Sequence, residues 1–349
     1  MLPSWRRDNG GVPTPDSPVP LPSADELVER SHVVALPLVT RFRGITVREA
    51  VLLEGPEGWS EFSPFVEYAD PEASSWLAAA VEDGWSRGPE PLRDFVPVNA
   101  TVPAVHADEV PAVLARYDGT TTVKVKVAER GQSLSDDVAR VAAVRAALGD
   151  GGMIRVDANG GWAVDEAVAA LRALEPFGLQ YAEQPCAGVD ELAALRVRLD
   201  GRVAVAADES IRRAADPERV VAAGAADVIV IKAQPLGGAR RAIALVERLG
   251  LPAVVSSAID TSVGLSLGAR LAAALPGQQL ACGLGTASLL AADVTADPLR
   301  ARGGAVAVRR VVPDAELLAR HAAAPERTRW WRERLRRCAG LLAARTDVG

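Results

Sequence analysis

The chain has 349 residues, 49% of them hydrophobic and 24% charged, enough for one large domain or two unequal ones around a sizeable core. A net charge of −6 and a pI of about 5.3 lack the basic surplus of a nucleic-acid binder, so no nucleic-acid partner is expected. The longest apolar stretches, such as Leu271 to Leu275, fall far short of a membrane span, which argues against a membrane partner.

Arg6 and Arg7 are not followed by an apolar run, so no secretory signal is expected. From Gly10 to Ser23 Pro alternates with Gly, Ser and Asp, and residues 1–24 read as a disordered leader. Cys186, Cys282 and Cys338 have neither zinc spacing nor an even count, which points to a reducing, cytoplasmic setting with Cys186 and Cys282 as small core residues. Residues 25–95 read as an α+β domain, with strands at 33–37 and 46–54 and a helix at 71–82 that has Pro in its first turn.

Beyond residue 96 the rhythm becomes strand, turn, helix. Strands are expected at 122–127, 154–157, 180–183, 203–207, 228–232, 253–256 and 280–283, and helices at 135–148, 165–174, 189–199, 217–223, 239–249 and 262–275. Each return to a parallel strand needs a crossing helix, and this many units suit a closed barrel. The fold predicted is a modified TIM-type (β/α)7β barrel over 96–312 with an N-terminal α+β capping domain. An open doubly wound sheet is the alternative, but Gly149, Gly151 and Gly152 follow a helix and make no dinucleotide fingerprint. Residues 313–349, with Trp330, Trp331 and many arginines, read as a helical tail packed on the barrel or the cap.

Catalytic groups of such a barrel lie at the C-terminal strand ends, where charges interrupt otherwise apolar strands. Strand alternation puts Lys124 and Lys126 on one side and Val123, Val125 and Val127 on the other, so both lysines are expected inside the barrel. Mutual repulsion and burial are expected to lower both lysine pKa values and make a usable base. Asp157, Glu183 and Asp208 end the next three strands, 26 and 25 residues apart, and Lys232 follows 24 residues later. Three converging carboxylates call for a hard divalent cation, Mg²⁺ or alternatively Mn²⁺. A metal bound to a substrate carboxylate can stabilise the enediolate formed when an α-proton leaves, with lysines serving from the two faces.

The ordered set Lys-x-Lys, Asp-x-Asn, Glu-Gln-Pro, Asp-Glu-Ser and a lone barrel lysine resembles the enolase superfamily, muconate-lactonising subgroup, over about residues 25–312. Longer strings, among them Phe42-Arg-Gly-Ile-Thr-Val-Arg-Glu and Ala281-Cys-Gly-Leu-Gly-Thr, resemble one actinobacterial branch of it. That resemblance implies a Mg²⁺-dependent carbon–oxygen lyase that dehydrates 2-succinyl-6-hydroxy-2,4-cyclohexadiene-1-carboxylate to 2-succinylbenzoate in menaquinone biosynthesis. It assigns the metal to Asp157, Glu183 and Asp208, the acid–base role to Lys126, its tuning to Lys124 and enediolate stabilisation to Lys232. Candidate substrate contacts are Arg43, Asn159, Ser256, Ser257 and Gly283, the last three through backbone N–H groups. Arg155 and Glu209 are expected behind the ligands, Glu209 because it alternates away from Asp208.

The resemblance also implies that the cap closes over the substrate with Arg41, Arg43 and the loop 58–65. Ser60 stands where the subgroup pattern has glycine, a cost if that backbone needs positive φ. The partner expected is a small-molecule carboxylate, with the protein a monomer or small homo-oligomer. The nearest rival reading, an N-succinylamino-acid racemase or dipeptide epimerase, uses the same lysines and metal. A Schiff-base aldolase would not need three carboxylates, and a non-catalytic relative would have little reason to keep every buried charge.

Overall fold

A computed structural model describes residues 21–42, 44–212, 217–277 and 280–346. The expected leader lies almost wholly outside the described residues. In chain order the elements are α1 (Ala24–Glu29), β1 (Ser31–Phe42), β2 (Ile45–Gly55), β3 (Gly58–Phe62), α2 (Asp70–Trp85), β4 (Phe95–Pro97), β5 (Ala100–Val102) and α3 (Val110–Leu114). Then follow β6 (Thr122–Lys126), α4 (Leu134–Leu148), β7 (Met153–Asp157), α5 (Val164–Leu174), β8 (Leu179–Glu183), α6 (Val189–Leu199), β9 (Val205–Ala207), α7 (Glu209–Arg212) and α8 (Glu218–Ala222). The chain closes with β10 (Val228–Ile231), α9 (Ala233–Leu236), α10 (Ala239–Leu249), β11 (Ala253–Val255), α11 (Ser262–Ala274), β12 (Ala305–Ala307), α12 (Ala315–Arg320) and α13 (Pro325–Thr346).

Strands β5 to β11 form one parallel sheet in sequence order. The eighth position is filled by residues 282–283, where Cys282 bridges Val98 and Gly283 bridges Ser256, closing the barrel. β-Branched residues fill the outward face of these strands and pack under helices whose apolar stripes face inward. In α10 that stripe is Ala239, Ala242, Leu245, Val246 and Leu249. Inside, Tyr181, Ala206, Val228, Val230 and Val254 make a separate apolar cluster below the charged strand ends. All three cysteines are free and buried. Among the described residues no helix is long and apolar enough to cross a membrane.

The seam at the eighth position is tight. A Cβ built on Gly283 would lie 2.4 Å from Ser256 Oγ. Gly283→Ala is therefore expected to cost about 1–3 kcal/mol in urea unfolding, the range of overpacked cores. Adding Ser256→Ala should recover part of that loss.

The β1–β2–β3 sheet and α2 form the cap. The segment at 58–62, expected as loop, is a strand with Ser60, Glu61 and Phe62 all buried. Burial on both faces erases the alternation that would have marked it. Ser60 has no positive φ, so the feared backbone cost is absent; it packs against Gly84 of α2. Two cap carboxylates grip the barrel. Glu61 Oε2 accepts from the Thr261 and Gly264 amides at 3.1 Å and from Thr261 Oγ1 at 2.6 Å, at the start of α11. Glu82 Oε1 accepts from the Ala239 and Arg240 amides at 2.7 and 3.2 Å, at the start of α10. Each carboxylate answers orphan N–H groups at a helix N-terminus. Burial, then the neighbouring Asp260, pushes the Glu61 carboxyl up to about 7 against the pull of Arg48.

The C-terminal helix α13 packs on α2 and α1, which places the tail on the cap. Arg327 makes a two-pronged contact with Glu49 at 2.8 and 2.6 Å, and Trp331 Nε1 donates to the same carboxylate at 2.9 Å.

Candidate active site

The parallel register does the assembly. Lys126 lies beside Asp157, Asp157 beside Glu183, and Glu183 beside Ala206, so three strands present their charges at one level. Asp208 sits just beyond β9 and Lys232 at the N-cap of α9. Both lysines of β6 face the cavity while Val123 and Val125 are buried in the main core, as alternation predicts. β6 and β10 are four positions apart in an eight-position barrel, so Lys126 and Lys232 stand on opposite walls.

Ammonium and carboxylate groups interleave. Lys124 Nζ lies 2.9 Å from Glu183 Oε1 and 3.2 Å from Asp157 Oδ2. Lys126 Nζ donates to Asp157 Oδ2 at 2.5 Å and to Asn159 Oδ1 at 2.7 Å. Lys232 Nζ donates to both oxygens of Asp208, at 2.6 and 2.5 Å. The expected lowering of the lysine pKa does not hold for Lys124. Burial pulls it down, but the charges of Glu183 and Asp157 outweigh burial and raise it well above the usual range. Burial works against the Asp157 charge too, yet Lys126 and Lys124 hold its carboxyl well below the ordinary value. Glu183 goes the other way. Burial, then the charge of Asp157, push it up to about 7, with Asp208 adding to the push and Lys124 and Lys232 opposing.

The turns after the strands carry strain. Ala128, Asn159 and Gln184 have φ of 59°, 46° and 39°, a region that L residues seldom occupy and that recurs at functional sites. Asn159 donates its amide to Asp157 Oδ1 at 3.1 Å and its side chain to Glu209 Oε1 at 3.4 Å. Gln184, fully buried, accepts from the amides of Asp208 and Ser210 at 3.0 and 3.2 Å and so sets the turn that carries Asp208. Sequence reasoning passed over Gln184; its signal was an uncharged amide held inside an acidic strand end. Glu209 lines the cavity instead of pointing away, because β9 ends at Ala207 and strand alternation stops there. Arg155 lies a layer deeper, donating to Gln180 Oε1 at 2.7 Å, Asn99 Oδ1 at 3.1 Å and the Ala281 carbonyl at 2.5 Å, with its guanidinium 4.7 Å from the Tyr181 ring centroid.

Lys124, Lys126, Asp157, Asn159, Asp208, Glu209 and Lys232 line a cavity of about 750 Å³ whose upper wall comes from the cap. Ser256, Ser257 and Gly283 line it, but two of their amides are already used. Ser256 N–H donates to Ile231 and Gly283 N–H to Val255, both at 2.8 Å in the barrel ladder, which overturns the expected backbone contacts for those two. Ser257 Oγ donates to the Gly283 carbonyl at 2.8 Å. Arg41 lines the cavity, and Arg43 lies outside the described residues. Not anticipated as a set are Phe42, Phe65, Tyr68, Trp76 and Ile259. Their residue types are ordinary core types, and only long-range packing brings them to the site.

Asp157, Glu183 and Asp208 are all-oxygen donors, each at most 4% exposed. Like charges crowd Glu183, and an added hard cation relieves such crowding. Among the described residues no three acidic, histidine or cysteine side chains are gathered into a ligand cluster; Asp157 and Asp208 are paired with Lys126 and Lys232. In chemistry the donor set fits Mg²⁺ or Mn²⁺; zinc would favour nitrogen or sulfur.

Residues 107–315 match the family described as enolase C-terminal domain-like, and residues 33–84 that described as enolase N-terminal domain-like. The o-succinylbenzoate synthase of Mycolicibacterium smegmatis is 55% identical over 323 residues, covering 92% of this chain and 99% of that one. Its namesake from Mycobacterium tuberculosis is 53% identical, with 92% and 97% covered. Among solved structures, an N-succinyl Arg/Lys racemase from Bacillus cereus superposes with a TM-score of 0.71 at 19% identity, covering 84% of this chain and 97% of that one. A muconate lactonizing enzyme from Pseudomonas putida gives 0.68 at 19%, covering 84% and 98%. Those two likenesses establish the fold, and the curated relatives place the sequence within it: the chain belongs to the enolase superfamily, in the family of the o-succinylbenzoate synthases.

Proposed function

We propose that the protein is a cytoplasmic, Mg²⁺-dependent hydro-lyase that converts 2-succinyl-6-hydroxy-2,4-cyclohexadiene-1-carboxylate to 2-succinylbenzoate, a step toward menaquinone. The observation that carries this is the row Lys126–Asp157–Glu183, continued by Asp208 and faced by Lys232 across the cavity. A divalent cation held by Asp157, Glu183 and Asp208 would supply positive charge beside the substrate carboxylate and compete with Lys126 for Asp157.

Lys126 takes the proton from ring carbon 1, next to the carboxylate. The carbon–oxygen bond at ring carbon 6 then breaks, and the Lys126 ammonium returns that proton to the departing hydroxyl, which leaves as water. The ring becomes aromatic, which makes the elimination favourable. Lys232 faces the negative charge that builds on the carboxylate, a fixed charge aimed where the reaction creates its opposite. Asn159 keeps Lys126 in place through its 2.7 Å contact, Lys124 adds a second buried positive charge, and Arg41 lies where a succinyl carboxylate could be met.

The test is product formation from the cyclohexadiene substrate with and without EDTA. Rapid appearance of 2-succinylbenzoate, lost on chelation and restored by Mg²⁺ or Mn²⁺, is expected. No turnover above background would shift the reading to an N-succinylamino-acid racemase or dipeptide epimerase. The opposed lysines suit that chemistry as well, and exchange of the substrate α-proton with solvent deuterium would reveal it.

A further inference from the structure

Three packed rings form part of the cap side of the cavity, beside Arg41 and Phe42. Phe65 and Tyr68 lie 5.6 Å apart between ring centroids, and each lies about one ring width from Trp76, at 6.4 and 6.2 Å. Trp76 is built into α2, but Phe65 and Tyr68 sit on the connection 63–69, which has no strand or helix of its own. Its own turn supplies one hydrogen bond, from the Tyr68 amide to the Phe65 carbonyl at 3.1 Å.

A further hold comes from a residue about 270 positions away in the chain. Arg334 of α13 is 1% exposed, donates Nη1 to the Phe65 carbonyl at 3.2 Å and donates Nη2 to the Tyr68 carbonyl. Its Nε lies 3.4 Å from Asp70, the first residue of α2, and its guanidinium lies 5.2 and 5.4 Å from the Trp330 and Trp331 ring centroids. The Arg48 guanidinium also lies 4.6 Å from the Phe65 centroid and bonds Ser63 Oγ at 2.9 Å. A buried guanidinium is costly unless its donors are used, and buried carbonyls are costly unless they are met. Arg334 and the segment 65–68 therefore satisfy each other, and one conformation of the segment does it.

We propose that Arg334 is a positioning residue: buried between α13 and the cap, it fixes the Phe65–Tyr68 wall against which the ring and succinyl chain of the substrate pack. This rests on the dehydration reading for the identity of the substrate. The wall touches parts of the substrate that do not react, so losing it weakens ground state and transition state together. KM should rise while kcat stays, because the lysines and carboxylates stand on the barrel and are untouched.

The experiment compares Arg334→Met, Arg334→Lys and Arg336→Met, the last replacing an exposed tail arginine, in the full-length enzyme. For Arg334→Met, KM is expected to rise about tenfold or more with kcat within about threefold. Arg334→Lys keeps the charge but cannot reach both carbonyls as a fork, so it should fall between. Amide hydrogen exchange at residues 65–69 should quicken at least about tenfold in Arg334→Met, with β6 and β7 unchanged. Arg336→Met should leave KM and exchange at wild-type values. A folded Arg334→Met with unchanged KM overturns the proposal, as does exchange that quickens evenly across the molecule. If Arg334→Met fails to fold, Arg334→Lys is judged by the same two readouts. If the wild type itself shows no turnover, the dehydration reading falls, and exchange at 65–69 alone decides whether Arg334 holds the segment.

Discussion

Lys126→Ala should lose about 10³–10⁴ of kcat while still folding, with Lys124 left to pair Asp157 and the cation bound at least as tightly as before, since general acid–base transfer contributes that order and one side chain serves both halves of the elimination. The choice between the two lysines of β6 follows from their surroundings. Lys124 is pinned between Glu183 and Asp157 at 9% side-chain exposure, whereas Lys126 is 17% exposed, and its ammonium group reaches the cavity beside Asn159. Steady-state kinetics with 2-succinylbenzoate followed directly would show the loss in kcat, with KM changed much less. Retention of kcat within about tenfold would transfer the acid–base role to Lys124.

Lys232→Met is expected to move two quantities in opposite directions. Turnover should drop about 10²–10³, the order lost when a fixed charge facing the developing anion is removed. Cation affinity should rise, by about tenfold or 1.4 kcal/mol, because the ammonium that grips both oxygens of Asp208 no longer competes for them. Without the cation the variant carries a buried aspartate that has lost its ammonium neighbour, and breaking a buried pair costs about 3–5 kcal/mol. Its melting temperature should therefore fall in EDTA and recover in Mg²⁺ by more than the wild type does. Calorimetric titration decides the matter: unchanged or weaker affinity would remove Asp208 from the ligand set.

The barrel was readable because its signals are local. A charge ending an apolar strand is anomalous within five residues, and recurrence near every 25 residues converts the anomaly into a register. Lys124, Lys126, Asp157, Glu183, Asp208 and Lys232 all follow from reading strand ends this way; the structure brings all but Glu183 to the wall of one cavity and holds Glu183 against Lys124 beside it. What resisted reading depends on distant partners. The strand at 58–62 hides because the cap and α11 cover both its faces, and Glu61 looked like loop polarity until its amide partners at 261 and 264 came into view. The aromatic wall is invisible for the same reason. The amides of Ser256 and Gly283 pointed to substrate only while the hydrogen bonds that close the barrel were unknown.

Glu61 and Glu82 fasten the cap to the barrel through main-chain donors at the beginnings of two helices. Every helix beginning offers the same N–H groups, whatever its sequence. The barrel side of this joint can therefore drift through mutation without losing its grip, provided the helix still begins at the same place. At these two points the cap's carboxylates carry the side-chain specification of how the halves meet, while Asp83 with Arg270 and Arg48 with the Ile259 carbonyl tie the joint elsewhere. Relatives with widely diverged sequences can keep these two anchor points of the enclosure by conserving a carboxylate on the cap and a helix start on the barrel.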